Sequence, residues 1–332
     1  MNISKEILQN AVEKLSSESE SVWKETALAI FRWQASHNEI YRKYLSYLRV
    51  NPEKIQTIEK IPFLPIRFFK EQIVITGSFS AETIFESSRT TGQIPSKHYI
   101  RDLSLYHRHT VRLFEMFYGK LSNYHLFALL PSYLERPNSS LVSMVSAFMK
   151  HTAQPSGFYL AEWEQLSKQV RYLLQQGKKV IILGVTFALL DWAESAPTNL
   201  QGAILMETGG MKGKRKEIIR QELHDILQKA FSIKKVHAEY GMTELLSQAY
   251  STGDGWFKMS PFFRILLRDL YDPFDITHRK TGGINIIDLA NLDSCCFIET
   301  QDIGTLHADK QSFQILGRAD NTDTRGCNLM VF

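Results

Sequence analysis

Apolar residues at Trp23, Ala27, Ile30 and Phe31 follow the spacing of one helix face, and Ile40, Tyr41, Tyr44, Leu45 and Leu48 repeat it after Asn38, a suitable N-cap. The N-terminal segment therefore reads as helices. Pro52, Pro62 and Pro65 then interrupt the pattern. The extended stretch Ile61-Pro62-Phe63-Leu64-Pro65 is too apolar for a free linker and reads as a crossing segment packed on a larger body. From about Glu82 short apolar runs alternate with amphipathic stretches. The pattern predicts strands at 83–85, 124–130, 179–183, 202–206 and 235–239, and helices at 103–118, 138–149, 162–176, 187–194 and 216–231. Strands alternating with helices of this length imply crossover connections and a mostly parallel sheet covered by helices, hence an α/β fold. After about Tyr250 the helical pattern ceases. Apolar runs at 263–270, 283–289, 296–299, 304–307 and 313–316, separated by turn residues, predict an antiparallel or barrel-like C-terminal part.

The composition supports a chain that buries a core: 332 residues, 44% hydrophobic, 22% charged, 18 Gly and 10 Pro, which excludes collagen-like and disordered classes. The longest apolar stretch, 180–190, is interrupted by Gly184 and Thr186 and falls short of the ~20 residues of a bilayer span. No membrane span and no secretory signal are expected. The three cysteines include the adjacent Cys295 and Cys296, which build neither a disulfide framework nor a zinc spacing, so the expected compartment is the reducing cytoplasm. A formal charge of +4 is too mild to argue for nucleic acid. It suits anionic ligands.

Four segments carry candidate chemistry. In Ser87-Ser88-Arg89-Thr90-Thr91-Gly92-Gln93-Ile94-Pro95-Ser96-Lys97, hydroxyls, backbone N–H groups and a lysine at a turn suit a polyphosphate. The segment lacks the Walker pattern, and by itself reads equally as a polar surface turn. Tyr240-Gly241-Met242-Thr243-Glu244 follows a predicted parallel strand, where open α/β sheets bind ligands. Its ring can stack on a base, its hydroxyl can meet a phosphate and its carboxylate can hold the Mg²⁺ that accompanies ATP. The alternative is a strand-to-helix turn with Thr243 as N-cap. Thr300-Gln301-Asp302 and Gly317-Arg318-Ala319-Asp320 place an aspartate and an arginine where ribose hydroxyls would be bound, or else form a turn and a surface ion pair.

The order of these motifs resembles the signature set of the adenylate-forming superfamily, and within it the chain is most similar to LuxE-type acyl-protein synthetases. Leu130-Pro131-Ser132-Tyr133-Leu134-Glu135-Arg136-Pro137, Glu207-Thr208-Gly209-Gly210-Met211 and Lys97-His98-Tyr99-Ile100-Arg101-Asp102 fit that branch. The resemblance covers about Ile61 to the C-terminus. It implies an N-terminal helical segment, 1–60, packed on an adenylate-forming, acyl-activating domain, 61–332, whose 260–332 part is antiparallel. It also implies that Ser88, Thr90, Thr91, Gly92 and Lys97 cradle the β- and γ-phosphates of ATP, that Gly209, Gly210, Tyr240 and Gly241 flank adenine, and that Thr243 touches the α-phosphate. Glu244 would ligate Mg²⁺, and Asp302 and Arg318 would bind ribose. The implied reaction activates a fatty or other acyl carboxylate as acyl-AMP. The acyl group then passes to Cys327, in Arg325-Gly326-Cys327-Asn328-Leu329, and on to a partner such as an acyl reductase.

The chain departs from the superfamily pattern in three places. Arg89 and Gln301 stand where glycines are usual. The sequence stops soon after Asp320, so the small lid domain with its catalytic lysine is expected to be absent. Arg89 is either an extra phosphate donor or the mark of a weakened site, and the alternative function is a nucleotide- or acyl-binding subunit without full activity. Cys327 is either the acyl acceptor, helped by Arg325, or an inert terminal thiol. Cys295 and Cys296, beside Phe297, belong to the core, and His107 and His109, two apart on a helix, make no metal site. Phe114, Phe117 and Tyr118 line an acyl pocket or simply the core. Lys212, Lys214, Arg215 and Lys216 lead into a helix, as a solvated face or a contact for an anion. A hydrolase is disfavoured by the lack of a G-x-S-x-G elbow.

Overall fold

The computed structural model describes residues 4–15, 18–88, 94–131, 138–209, 218–276 and 280–319. The chain forms two compact units, one of Met1–Phe68, Val74–Thr76 and Pro261–Phe332, the other of Phe69–Ile73 and Gly77–Ser260. In chain order the helices used below are α1 (Lys5–Lys14), α2 (Glu20–His37), α3 (Glu39–Tyr47), α4 (Leu103–Tyr118), α5 (Ser140–Met149), α6 (Trp163–Gln175), α7 (Thr186–Ser195) and α8 (Arg220–Phe231). The strands are β1 (Leu64–Pro65), β2 (Thr83–Glu86), β3 (Lys97–Ile100), β4 (Tyr124–Leu129), β5 (Gly157–Tyr159), β6 (Lys179–Val185), β7 (Ile204–Thr208), β8 (Val236–Tyr240), β9 (Ala249–Ser251) and β10 (Phe257–Lys258), then β11 (Phe263–Arg268), β12 (Thr281–Asp288), β13 (Phe297–Leu306) and β14 (Ser312–Arg318).

In the first unit, Ser4, Ser19 and Asn38 cap α1, α2 and α3 through side-chain oxygens that accept backbone N–H groups. The face of α2 read from the sequence, Trp23, Ala27, Ile30 and Phe31, is buried, with the Phe31 ring edge-on to Phe297 at 5.8 Å. Gln34 lies on the same face, fully buried. Its Nε2 donates to the carbonyls of Asn291, Leu292 and Ser294 and its Oε1 accepts from Cys296 N–H, so the amide is fully used. Leu64 and Pro65 pair in parallel with Ile298 and Glu299, which is how the apolar crossing segment is absorbed. β11, β12, β13 and β14 form an antiparallel ladder in that order. The ladder is open: among the described residues no barrel closes, and this part is antiparallel rather than barrel-like. Gln301 to Ile303, expected as a break, runs through the middle of one long strand, β13, with the register shifting on both sides: opposite Gly283–Asn285 of β12, and between Ile303 and Gly304 toward β14.

The second unit is the α/β body. β5, β4, β6, β7 and β8 pair in parallel in that order, and β9 and β10 continue antiparallel from β8. Every residue of β4 and all but the first of β6 are buried, as both-face coverage requires of central parallel strands. Trp192 of α7, packed against Phe231 of α8 at 4.5 Å, fills one layer, and Phe114 of α4, packed against Phe148 of α5 at 5.0 Å, fills another. β2 and β3 form a separate antiparallel hairpin where the sequence pattern predicts only a strand end and a turn.

Candidate active site

The carboxyl ends of β7 and β8 lie side by side. Their register pairs Thr208 with Glu239, which brings Gly209 and Tyr240 level at the rim. The Thr208 hydroxyl donates a short hydrogen bond to Glu239 Oε2, and both side chains are buried. Gly209 has φ +70°, which glycine adopts without strain, and its carbonyl accepts from the Thr186 hydroxyl at 3.1 Å. Tyr240 is half-buried, with its ring 5.8 Å from Phe257. Gly241 passes so close to Glu239 that a Cβ there would strike Oε1. The preceding Glu207 is buried and ion-paired with Arg220 at 3.1 Å, whose guanidinium lies 4.9 Å from the Phe257 ring centre. His224 stands 3.8 Å from the same carboxylate.

Residues 241–248 form no helix, so the N-cap alternative for Thr243 does not occur. A turn in which Met242 O accepts from Leu245 N–H carries Thr243 outward and Glu244 inward, to 4% exposure. The Thr243 carbonyl accepts a 2.8 Å hydrogen bond from Nδ1–H of the buried His98. Four residues further on, Ser247 Oγ lies 2.9 Å from Nε2 of His109. Burial, aided by Arg112, pushes that imidazole down to about 3 and keeps it neutral. His107 instead meets Ser143 at 2.8 Å, so the two α4 histidines serve different neighbours. Phe114 and Tyr118 pack with Phe117 around the buried Tyr250 ring.

The hairpin β2–β3 has a closed neck: Ser87 N–H donates to Ser96 O at 3.0 Å and Ser96 N–H to Ser87 Oγ at 2.9 Å. Ser88 and Lys97 sit at that neck, half-buried. Arg89, Thr90, Thr91 and Gly92 lie outside the described residues, as do Gly210, the basic run at 212–216 and Cys327.

The remaining candidates belong to the first unit. Thr300 is buried, its hydroxyl donating to Ile284 O at 2.8 Å and accepting from Asp302 N–H at 3.1 Å. Arg268 braces β13 at Thr300. Its guanidinium lies over Gly283, where a Cβ would collide with it, and donates to the carbonyls of Ile284 and Thr300 at 2.9 and 2.7 Å. Asp302 and Arg318 are register partners, with Arg318 Nε 3.8 Å from Asp302 Oδ1 and Arg318 largely exposed. Cys295 and Cys296 are fully buried, and burial pushes both thiols up, Cys295 to about 12. They are core residues. Sequence reasoning missed His98, Arg268 and the Thr208–Glu239 pair. The only local signal was a polar residue breaking an apolar alternation, as His98 does between Phe85 and Ile100 in the hairpin.

Among the described residues no group of His, Cys, Asp and Glu is arranged to hold a metal by itself. Glu244, a single carboxylate beside the Thr243 turn, would suit an ion such as Mg²⁺ that arrives with a nucleotide better than a resident metal, which needs several protein ligands. No helix among these residues is long and apolar enough to cross a membrane.

Comparison with known proteins places the chain in context. The profile of the family described as acyl-protein synthetase, LuxE, matches residues 2–332. No curated protein sequence matches significantly. Among solved structures, a 2-hydroxyisobutyryl-CoA ligase in complex with 2-HIB-AMP and CoA superposes with TM-score 0.67 at 12% identity, over 93% of this chain and 78% of that one. ATP-bound MatB from Rhodopseudomonas palustris superposes with TM-score 0.52 at 13% identity, over 71% of this chain and 47% of that one. The chain thus spans about half the length of MatB. At these identities the likeness is one of fold, and the fold is that of adenylate-forming ligases.

Proposed function

The chain belongs to the LuxE acyl-protein synthetase family, AMP-forming acyl-activating ligases, and from that premise we propose that it uses ATP to activate a fatty acyl carboxylate and transfers the acyl group to its own Cys327. A carboxylate oxygen of the acid attacks the α-phosphorus of ATP, and the α–β bridging bond breaks to release pyrophosphate. The Cys327 thiolate then attacks the acyl carbon, expelling AMP and leaving a thioester, while the thiol proton goes to solvent. A partner such as an acyl reductase receives the acyl group from that thioester.

The observation that carries this reading is that Gly209 and Tyr240 directly follow the register pair Thr208–Glu239 at the ends of adjacent parallel strands, shortly before Thr243 and the buried Glu244. In this reading Gly209, Gly210, Tyr240 and Gly241 hold adenine, and Thr243 meets the α-phosphate. Ser88, Arg89, Thr90, Thr91, Gly92 and Lys97 cradle the outer phosphates. Asp302 and Arg318 bind the ribose. Glu244 is the ligand for Mg²⁺, which when bound supplies charge neutralisation to the phosphates. The chain's own share is positioning and fixed dipoles, which is where most of the acceleration of such a transfer originates.

Incubation with ATP, Mg²⁺ and a panel of fatty acids, followed by intact-mass measurement, should show an acyl adduct that Cys327→Ser abolishes while acid-dependent ATP–pyrophosphate exchange persists. No adduct and no exchange with any acid would refute the reading. Exchange at background, with ATP still raising the melting temperature, would favour the alternative of a nucleotide-binding subunit.

A further inference from the structure

We infer that His98 is a positioning residue for nucleotide binding, acting as the tie that sets the phosphate hairpin against the Thr243–Glu244 turn. The inference rests on the functional reading above and adds a residue to it. His98 lies on β3 directly after Lys97, is 1% exposed, and donates Nδ1–H to the carbonyl of Thr243 at 2.8 Å, across 145 positions of sequence. The Phe69 ring meets the imidazole edge-on at 6.1 Å, holding it on its other side.

Three features make this more than a buried hydrogen bond. The hairpin neck is closed independently by the Ser87–Ser96 pair, so the imidazole is not needed to form the hairpin. The turn after β8 contains no helix, so the Thr243 carbonyl has no helical partner that would orient it. The same peptide plane precedes Glu244, so the direction of the Thr243 carbonyl fixes the orientation of the Glu244 N–H and the direction in which the Glu244 backbone sets out. One side chain thereby couples Lys97, its neighbour in sequence, to Thr243 and Glu244. A carbonyl acceptor requires the proton on Nδ1, which both the neutral Nδ1–H tautomer and the imidazolium provide.

Three variants test the tie, read out by the dissociation constant for ATP with Mg²⁺, by melting temperature, and by the KM and kcat of exchange. Asn places its Nδ2–H near the position of Nδ1–H, whereas Gln reaches toward Nε2 and Leu offers no donor. His98→Leu and His98→Gln should bind ATP about tenfold or more weakly, with the loss in KM rather than kcat. His98→Asn should recover most of the affinity, even though its melting temperature falls with the others because the ring's packing against Phe69 is gone. Wild-type affinity in folded His98→Leu, or equal loss in the Asn and Leu variants, would overturn the inference and leave His98 a filler of space. A wild-type chain that binds no ATP would instead refute the functional reading, a result told apart by the unsubstituted protein alone.

Discussion

Around the candidate groups at the ends of β7 and β8 the polar side chains are paired: Thr208 with the buried Glu239, the Thr243 carbonyl with the buried His98, and Glu207, just before the glycines, with the half-buried Arg220. In the middle of β13 the Thr300 carbonyl is held by Arg268, whereas Asp302 and Arg318 face each other at 3.8 Å with the arginine largely in solvent. The contrast separates two ways of presenting ligand groups. The first is preorganised, with orientation fixed before a ligand arrives. The second leaves a loosely paired acid and base that a sugar can part at little cost, since an exposed pair of this kind contributes about 0–1 kcal/mol.

The largest expected effect of a single substitution tests whether the middle of β13 depends on Arg268. Arg268→Met removes the donors to the Ile284 and Thr300 carbonyls and one of the two cations facing Glu299, so it should destabilise the protein by about 3 kcal/mol, seen as a lower urea midpoint. A shift below about 0.5 kcal/mol would erase the distinction between Thr300 and its neighbours.

Acid should separate the two units next. Burial pushes His109 down to about 3 and His237 down to about 4, helped by Arg112 and Lys235 respectively. An unfolded imidazole titrates near about 6.5, so below that pH the unfolded chain takes up protons that the folded one refuses. Stability in the second unit is therefore full above about pH 6.5 and falls with pH, each imidazole costing about 2 kcal/mol by about pH 5. Glu299 in the first unit runs the other way: burial holds its carboxyl up against the opposing pull of Arg268 and Arg67, so protonation favours the folded state. Hydrogen exchange between pH 7 and 5 should show the amides of β8 and α4 losing protection before those of β12 and β13.

Gly241→Ala is a smaller disturbance aimed at the preorganised rim. The added methyl group meets Glu239 Oε1, so the turn must shift, at about 1–3 kcal/mol of stability, and ATP binding should weaken with it. Thermal shift with and without ATP measures both. The smallest stability effect is expected for Arg318→Ala, within about 0.5 kcal/mol, combined with about a tenfold rise in KM for ATP if the arginine serves the ribose. A stability loss as large as that of Arg268→Met would contradict the comparison.

What the sequence disclosed follows from how far each signal reaches. The α2 face, α4 and the runs that became β4 and β6 were legible because their periodicity is local. The three- and two-residue strands β9 and β10 were not, since they are set by pairing, β9 with β8 and β10 with β9, rather than by their own residues. β13 was read as two runs because Gln301 and Asp302 look like a turn, yet they lie inside one strand, where the β12 ladder skips from Glu299 to Ile303 and Asp302 pairs with Arg318 of β14. The candidate site shows the same division. Tyr240, Thr243, Glu244, Thr300 and Asp302 announce themselves in short motifs, whereas His98 and Arg268 act on carbonyls far away in the chain. Gln34 is the clearest case: a polar residue on an apolar helix face is anomalous until its partners, 257 positions away or more, are in view.

The central claim, that the paired ends of β7 and β8 form the nucleotide site, is tested most directly by a crystal structure of the chain grown with AMP. Adenine density against Tyr240 and Gly209, with the phosphate at Thr243, is the predicted result. Well-ordered AMP bound away from these residues would contradict it.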